Sequence, residues 1–284
     1  MKTMSRIPVA IVGANGYSGE ELCAILARHP QVEIVAITSR QHAGKAAGDV
    51  LPRLAGVGDF ANLVFTEPSI EALLASSAEY FFLALPHGLA AEFALPLCRA
   101  GKRVIDLSAD FRLRDPQVYR EFYGEDHPAP DVLKTAVYGL PELHRDAIRS
   151  AQLVGSAGCY PTSILLPLVP LLREGLICAE DILVSSASGV SGAGRKADLS
   201  LLFGECNESL RAYGLPKHRH LSEIEQELSL AANKPVVISF TPHLAPMNRG
   251  ILATCYARPA VGTTPTTASL LATLARAYAK EPLI

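Results

Sequence analysis

A short apolar strand that leads through a glycine-rich turn into a helix constrains the fold of this chain more than any other feature. Residues 9–12 are apolar, residues 13–19 (GANGYSG) carry three glycines, and residues 20–28 have helical periodicity. Ser18 and Glu21 have the spacing of a capping box, which supports a helix start at this point. Strand, turn and helix in this order predict a dinucleotide-binding βαβ unit, and an ordinary tight turn is the alternative.

The three glycines suit different tasks in such a unit. Gly13 permits the tight turn, Gly16 lets the backbone approach a pyrophosphate, and Gly19 lets the helix pack closely on the strand. The residues of the turn that we predict to bind a cofactor are Gly13, Asn15, Gly16, Tyr17, Ser18 and Gly19.

The end of the second predicted strand, residues 32–37, indicates which dinucleotide is bound. NAD-binding units often place Asp or Glu there to hold the ribose 2′-hydroxyl, whereas this chain has Thr38, Ser39 and Arg40. An arginine can bind a 2′-phosphate through two parallel hydrogen bonds. We therefore predict NADP(H), with Ser39 and Arg40 in the cofactor site. A merely solvated Arg40 is the alternative.

Strands and helices go on alternating through the first half of the chain. Further strands are predicted at residues 63–65, 80–85 and 104–107, and helices at 70–75 and through Leu97. The strand at 80–85 is apolar on both faces, as a central parallel strand is. This order predicts an α/β fold with a doubly wound parallel sheet.

Ligand contacts in such sheets lie at the carboxyl ends of the strands. This rule places Pro86 and His87 beside the cofactor, although a structural role in a turn explains His87 equally well. It also singles out Ser108 and Arg112, and Arg112 can receive a substrate carboxylate or phosphate in bidentate fashion. An ion pair between Arg112 and Asp110 is the alternative.

Cys159 is the candidate nucleophile. A thiol at a helix start lies near unpaired N–H groups and the positive end of the helix dipole, which favour the thiolate. Pro161 suits the first helical position, and the apolar residues 164–172 continue the helix, with Pro167 and Pro170 expected to kink or interrupt it. The alternative is an inert, buried cysteine.

A glycine-rich loop, residues 189–196, follows a predicted strand. In this loop Gly192 is predicted to wrap the nicotinamide end of a cofactor and Arg195 to bind a substrate anion. A mobile surface loop is the alternative. Residues 236–240 and 251–257 are predicted to form two further strands with antiparallel pairing.

His218 and His220 stand just before another predicted helix, in which Ser222 and Glu225 have capping-box spacing. A histidine beside a thiolate can act as its acid/base partner, so one of the two is sufficient. Zinc bound by Cys159 and both histidines is disfavoured because no further thiolate has ligand spacing. We therefore predict no metal.

Composition excludes several function classes. The 284 residues hold 26 Lys plus Arg against 28 Asp plus Glu, and the net charge of -2 gives no electrostatic case for nucleic acid or an anionic membrane. The six cysteines are widely spaced without a CxxC pair, which argues for a reducing compartment. No apolar stretch is long enough for a signal sequence or a membrane span. We expect a cytoplasmic protein with a small-molecule partner.

The chain resembles the N-acetyl-gamma-glutamyl-phosphate reductase family along its whole length. The resemblance rests on motifs that occur in the family's order: GANGYSG at 13–19, LPHG at 85–88, DLSADFR at 106–112, YGLPE at 138–142, GCYPT at 158–162, HRH at 218–220 and PMNRG at 246–250. Members of the family normally continue for some tens of residues beyond the point reached at Ile284, so a truncated chain is one expectation.

The resemblance implies an NADP-dependent reductase of N-acetyl-L-glutamyl 5-phosphate in arginine biosynthesis. It implies a Rossmann-type NADP-binding domain at residues 1–155 and an α+β catalytic domain of the glyceraldehyde-3-phosphate dehydrogenase type at 156–284, in a homodimer or homotetramer. In this chain it assigns Cys159 as the thioester-forming nucleophile and His218, in preference to His220, as the acid/base residue. Glu223 is expected to orient one histidine. The predicted substrate-binding residues are Ser108, Arg112, Arg195 and Glu223.

Three other functions are compatible with the same residues. Two keep the chemistry and change the acyl phosphate, either to an aminoadipyl phosphate on an acidic carrier protein or to aspartyl phosphate, as in aspartate-semialdehyde dehydrogenase. The third is a non-catalytic NADP-binding regulator, against which the retained thiol and histidines argue.

Overall fold

The computed structural model describes residues 6–284, which divide into two compact units. The first unit consists of the chain up to Arg114 together with His127–Gly139 and Asp146–Ser156. The second consists of Asp115–Asp126, Leu140–Arg145 and Ala157–Ile284. Short segments before residue 155 therefore belong to the second unit, whereas the sequence suggested one boundary.

The strands are β1 (Ile7–Val12), β2 (Val32–Thr38), β3 (Tyr80–Leu83), β4 (Arg103–Asp106), β5 (Val137–Gly139), β6 (Leu153–Ser156), β7 (Ile182–Ser188), β8 (Arg211–Ala212), β9 (Ile238–Leu244) and β10 (Ile251–Tyr256). The α-helices are α1 (Tyr17–Leu26), α2 (Ala47–Val50), α3 (Ile70–Ala75), α4 (Ala90–Arg99), α5 (Pro116–Tyr123), α6 (Pro130–Leu133), α7 (Pro141–Ser150), α8 (Cys159–Arg173), α9 (Phe203–Cys206), α10 (His220–Ala232) and α11 (Thr267–Ala277).

The first unit is built on a parallel six-stranded sheet in the order β2-β1-β3-β4-β6-β5. Val9 and Ile11 of β1 belong to an apolar cluster that includes Cys23 of α1. The alternate residue Val12 belongs to a second cluster, which includes Phe93 of α4. Burial on both faces explains why the strands are nearly continuous apolar runs. The predicted Rossmann-type parallel sheet is confirmed.

The strand predicted at residues 63–65 is wrong. Val64 pairs with Ala46 and Thr66 pairs with Thr38, both as isolated bridges. Phe65 is buried in the core, but Val64 is 51% exposed. The apolar run therefore anchors a loop at the sheet edge beside β2 and does not extend the sheet.

The second unit contains a mixed four-stranded sheet in the order β10-β7-β9-β8. The predicted antiparallel pairing is correct for β10 against β7, but β9 is parallel to β7. Helix α10 precedes β9 and is long enough to return the chain to the same end of the sheet, which a parallel pair requires. Strand β9 also extends to Leu244, so it includes Pro242 and His243 beyond the predicted end at residue 240.

Helix α8 passes through Pro167 and Pro170 without ending, so of the predicted kink or interruption the interruption is wrong. Pro170 has no N–H to donate to the carbonyl of Leu166. The hydroxyl of Tyr278 donates to that oxygen instead, at 2.6 Å. A side chain from elsewhere in the second unit thus satisfies the carbonyl that the proline leaves open.

Candidate active site

A pocket of about 300 Å³ lies at the carboxyl ends of strands in the first unit. The residues predicted to bind a cofactor that line it are Gly13, Asn15, Gly16, Ser39, Arg40 and Pro86. Tyr17, Ser18 and Gly19 follow the pocket residues as the first three residues of α1. His87 follows Pro86 in the turn after β3.

The three glycines of the turn have different surroundings. Gly13 has a φ of 85°, and a Cβ there would lie 2.5 Å from the carbonyl oxygen of Ala84. A Cβ at Gly19 would lie 2.5 Å from the carbonyl oxygen of Gly13, so both positions exclude a side chain. At Gly16 the nearest atom would be 3.8 Å away. The turn is therefore closely packed at Gly13 and Gly19. It is open at Gly16, where a ligand can approach the protein backbone.

The capping box predicted for Ser18 and Glu21 is wrong. The N-cap of α1 is Gly16, which has no side chain to accept a hydrogen bond from the first turn. Helix N-termini without such a cap are suited to bind phosphate, because their N–H groups and the helix dipole both favour an anion. The departure from the capping rule thus falls where a pyrophosphate would bind.

Ser39 and Arg40 follow β2 in different environments. Ser39 is 3% exposed, and its hydroxyl accepts hydrogen bonds from the backbone N–H groups of Gln41 and His42 at 3.2 and 3.3 Å. These bonds fix the turn that presents Arg40, whose side chain is exposed at the pocket. Among the described residues 6–284, none that lines this pocket carries a carboxylate, so the guanidinium can receive an anionic ligand.

A buried polar network fills the loop after β4. Asp106 is fully buried, and its two carboxylate oxygens accept from the N–H and hydroxyl of Ser108 at 2.9 and 2.8 Å. Burial raises the pKa of Asp106 to about 7. The hydroxyl of Ser108 also accepts from the N–H of Asp110. These contacts hold the loop, and the substrate-binding role of Ser108 stays a prediction.

Asp110 connects this loop to the cofactor pocket. Its carboxylate is fully buried and accepts from the N–H groups of Gly88 and Ala90 at 2.7 and 3.0 Å. Leu89, between them, lines the pocket. Arg112 donates to the carbonyl of Leu107 at 2.9 Å, a contact that the sequence did not suggest.

His127 was missed from the sequence because its partner is distant along the chain. Its Nδ1 accepts from the N–H of Ala129 at 3.0 Å, so Nε2 carries the proton and donates to the carbonyl of Asp110 at 2.7 Å. Burial lowers its pKa and keeps the ring neutral. A buried histidine that supports a loop is common, and we assign His127 that role.

Cys159 is the first residue of α8 and is exposed, whereas the other five cysteines are buried or partly buried. Burial raises the pKa of Cys98 and Cys255 to about 11 and that of Cys23 to about 12, so these thiols are inert. Pro161 is the third helical residue, not the first as predicted. It still needs no N–H there, since first-turn donors have no intrahelical partner.

Glu223 reaches the residue before the nucleophile. It lies in the first turn of α10, is 2% exposed, and accepts the N–H of Gly158 through Oε1 at 2.7 Å. Gly158 is the N-cap of α8 and is buried. A carboxylate with so little exposure has no open surface for substrate, although the sequence grouped it with the substrate-binding residues.

Tyr160 joins the nucleophile to the histidines. Its ring packs edge to face against His218, His220 and Phe240, with centroid separations of 5.5, 5.9 and 5.2 Å. Its hydroxyl lies 2.8 Å from that of Tyr213. Burial raises the pKa of both phenols, so both hydroxyls stay protonated. Neither tyrosine stands out as a site residue in the sequence.

His218 is partly buried, and its Nδ1 accepts a hydrogen bond from the backbone N–H of His220 at 3.1 Å. Burial, and then the positive charge of Arg219, lower the pKa of His218 to about 4. The ring is therefore neutral near pH 7, with its proton on Nε2. His220 is 8% exposed and is the first residue of α10, not a residue outside it as predicted.

The capping box predicted for Ser222 and Glu225 is also wrong. The N-cap of α10 is Arg219, and no side chain caps this helix end. The hydroxyl of Ser222 donates to the carbonyl of Arg219 at 2.8 Å, and Glu225 accepts the N–H of Ile238 at 3.0 Å. Both side chains therefore have other structural tasks.

The segment with Gly192 and Arg195 begins with a turn of regular structure. Val190–Ala193 forms a short 3-10 helix that contains Gly192. Val190 and Ser191 donate to the carbonyls of Met247 and Asn248, each at 3.0 Å. Gly192 and Arg195 are exposed, and their cofactor and substrate roles stay predictions.

Within residues 6–284, no group of three or more His, Cys, Asp or Glu side chains is arranged to hold a metal ion. None of the helices in that same part of the chain combines the length and the apolar character needed to cross a membrane.

Two family models match the chain. The one described as "Semialdehyde dehydrogenase, NAD binding domain" matches residues 8–151, and the one described as "Semialdehyde dehydrogenase, dimerisation domain" matches residues 159–284. Among curated relatives, the N-acetyl-gamma-glutamyl-phosphate reductase of Akkermansia muciniphila is 55% identical, covering 99% of this chain and 80% of the relative. The reductase of the same name from Moorella thermoacetica is 48% identical, covering 98% and 79%.

Solved structures of similar fold include two aspartate semialdehyde dehydrogenases. The Vibrio cholerae enzyme II complexed with ASA has a TM-score of 0.68 at 17% identity and covers 95% of this chain and 79% of its own. The Candida albicans enzyme with NADP has a TM-score of 0.67 at 17% identity and covers 95% and 76%. At this identity the likeness concerns the fold alone.

Proposed function

Because the chain belongs to the N-acetyl-gamma-glutamyl-phosphate reductase family, we propose that the exposed thiol of Cys159 carries its reaction. The enzyme reduces N-acetyl-L-glutamyl 5-phosphate with NADPH, giving N-acetyl-L-glutamate 5-semialdehyde and phosphate, in arginine biosynthesis. The relatives do not favour the aminoadipyl, aspartyl or regulatory alternatives. The observation that carries the residue assignment is the exposed thiol at the start of α8, one residue before the tyrosine that contacts both histidines.

The pocket of the first unit suits NADPH. Gly16 leaves room for a pyrophosphate at the uncapped start of α1, and Arg40 is presented where a 2′-phosphate would need a cation. We assign both residues to the cofactor, together with Gly13, Asn15 and Pro86. When bound, NADPH supplies the hydride that reduces the acyl group.

In the first step, the thiolate of Cys159 attacks the acyl carbon and the bond to the phosphate oxygen breaks, which leaves a thioester. Negative charge develops on the acyl oxygen during this attack. The backbone N–H groups at the start of α8 are the donors that we assign to that oxygen. The expelled phosphate takes up the one proton that the overall reaction consumes.

In the second step, the reduced carbon carries an oxyanion and remains bonded to Sγ of Cys159. We assign His218 to this oxygen, because the hydrogen bond from His220 leaves Nε2 as its donor nitrogen. Collapse of the thiohemiacetal releases the aldehyde and restores the thiolate. His220 remains the second candidate for the proton-handling role.

We also propose that residues 1–155, apart from the two short segments that belong to the second unit, form the NADP-binding domain and that residues 156–284 form the body of the catalytic and oligomerisation domain. The match of the second half to a dimerisation domain supports an oligomer, and we propose a homodimer or homotetramer. One face of the second sheet supplies a surface for this oligomer, because Leu183 pairs with Tyr256 and the two residues are 50% and 59% exposed.

A cytoplasmic location is supported by six cysteines that form no disulfide.

The reverse reaction tests the activity. Purified protein is mixed with N-acetyl-L-glutamate 5-semialdehyde, phosphate and NADP, and the absorbance of reduced nicotinamide is followed. We expect it to rise with phosphate present and to stay flat when phosphate is omitted. A flat trace in both mixtures would contradict the enzyme assignment, and a higher rate with aspartate semialdehyde would contradict the substrate.

A further inference from the structure

Glu223 places a buried carboxylate beside the nucleophile. Carboxylates are rarely this buried without partners, and one partner here is the backbone N–H of Gly158 at 2.7 Å. Gly158 caps α8 and is followed directly by Cys159. The hydrogen bond therefore connects α10 to the backbone residue directly before Cys159.

The charge of this carboxylate is no help to the thiol. A negative charge near Cys159 disfavours the thiolate, so Glu223 does not activate the nucleophile electrostatically. What it contributes is an acceptor oxygen at a fixed position. We therefore attribute its effect to the position at which it holds the backbone of Gly158.

The same helical turn also holds the histidine. The backbone N–H of His220, the first residue of α10, donates to Nδ1 of His218. One end of α10 thus fixes both the backbone before Cys159 and the ring orientation of His218. This coupling is absent from local sequence patterns because Gly158 and Glu223 are 65 residues apart.

We infer that Glu223 is a positioning residue that holds Gly158, and through it the Cys159 thiol, in register with His218. It does not bind substrate. The inference rests on the proposed role of Cys159 as nucleophile. It predicts that kcat depends on an acceptor oxygen at residue 223 and not on the charge of that side chain.

Two substitutions separate acceptor from charge. Glu223→Gln keeps an oxygen at the same reach and removes the charge, whereas Glu223→Asp keeps the charge on a shorter side chain that no longer reaches Gly158. We measure kcat and KM, and the rate at which iodoacetamide alkylates Cys159 without substrate, by mass spectrometry of its peptide. Glu227 is the matched control position, because it is 3% exposed on the same helix and pairs with His144 at 2.9 Å.

We expect E223D to lower kcat by about a hundredfold, since a displacement of about 1 Å has that effect on a reaction, with a smaller change in KM. E223Q should retain kcat and alkylate at least as fast as the native enzyme. E227D should lower thermal stability without changing alkylation. Equal loss in E223Q and E223D, or native behaviour of both, would overturn the inference.

Turnover of Cys159→Ala, measured beside the E223D variant, distinguishes this inference from the proposed function. If Cys159→Ala retained turnover, the nucleophile assignment would fail whatever the Glu223 variants did. If Cys159→Ala is inactive while E223D alkylates and turns over normally, only the positioning role of Glu223 is refuted.

Discussion

The backbone N–H of His220 donates to Nδ1 of His218 and thereby selects the tautomer of that ring. The proton is left on Nε2, and the lowered pKa of about 4 keeps the ring neutral at the pH of the cell. His218 is thus a hydrogen-bond donor before substrate arrives. Of the two histidines, His220 contributes its backbone N–H and His218 contributes its ring.

The lowered pKa of His218 predicts a loss of stability in acid. The folded value is about 4 and the unfolded value about 6.5, so the unfolded chain binds more protons between them and stability falls as pH drops from about 6.5 towards 4. His218→Asn removes this contribution. Urea unfolding at pH 7.5 and pH 5 should show a smaller difference for H218N than for the native enzyme. An equal difference would mean that His218 protonates normally when folded.

Cys159→Ala should abolish turnover and leave NADPH binding nearly unchanged, because the thiol forms the thioester and belongs to no wall of the cofactor pocket. Cys178→Ala is the control, since Cys178 is partly buried and its thiol donates to the carbonyl of Pro259. Initial rates and fluorescence titration with NADPH give the two quantities. Turnover in C159A would refute the thioester mechanism.

Arg40→Ala should weaken NADPH by about ten- to a hundredfold, as expected for the loss of a hydrogen bond to a charged group, and NADH by much less. The comparison of the two cofactors in one variant controls for general damage to the pocket. Arg53→Ala removes a surface ion pair with Glu21 and should affect neither. If R40A weakened both cofactors equally, Arg40 would not bind the 2′-phosphate.

Gly16→Ala and Gly19→Ala should separate binding from stability. A Cβ at Gly16 meets its nearest atom at 3.8 Å, so G16A should fold normally and lose NADPH affinity. A Cβ at Gly19 would lie 2.5 Å from a backbone oxygen, so G19A should lose about 1–3 kcal/mol of stability as overpacked sites do. Thermal melting and NADPH titration distinguish them. Tight NADPH binding by G16A would mean that the pyrophosphate passes elsewhere.

Leu252→Glu should dissociate the proposed oligomer. Leu252 is 69% exposed in β10, on the sheet that we propose to bury between copies, and a charge there would be desolvated at the interface. Val261→Glu, at a residue that is 97% exposed beyond β10, is the control. Sedimentation velocity should show a monomer for L252E and an unchanged oligomer for V261E. A native oligomer in L252E would exclude this face.

The parallel sheet and the family could be predicted from the sequence because their signals are local. The strand, turn and helix at residues 9–28 follow one another, and the relatives confirm the resemblance that the motifs indicated. The placement of Cys159 at a helix start also came from its immediate neighbours. The sheet, the family and this helix start are all indicated by short-range patterns of apolar residues, glycines and prolines.

The remaining features depend on contacts between distant residues or on local rules that the fold breaks. Both predicted capping boxes are wrong because α1 begins at a glycine turn and the N-cap of α10 is Arg219, three residues before Ser222. The direction of β9 depends on the crossover that α10 makes. The hydroxyl contact of Tyr160 with Tyr213 spans 53 residues and leaves no mark in the local sequence.

The carboxylate of Asp110 has a consequence for inhibitor design. By accepting the N–H groups on both sides of Leu89, it fastens one wall of the cofactor pocket to a buried loop. That wall cannot yield to a bulkier molecule without breaking both hydrogen bonds to the buried carboxylate. A competitive compound must therefore match the contour of this wall, and resistance substitutions should arise elsewhere in the lining, around the exposed Arg40.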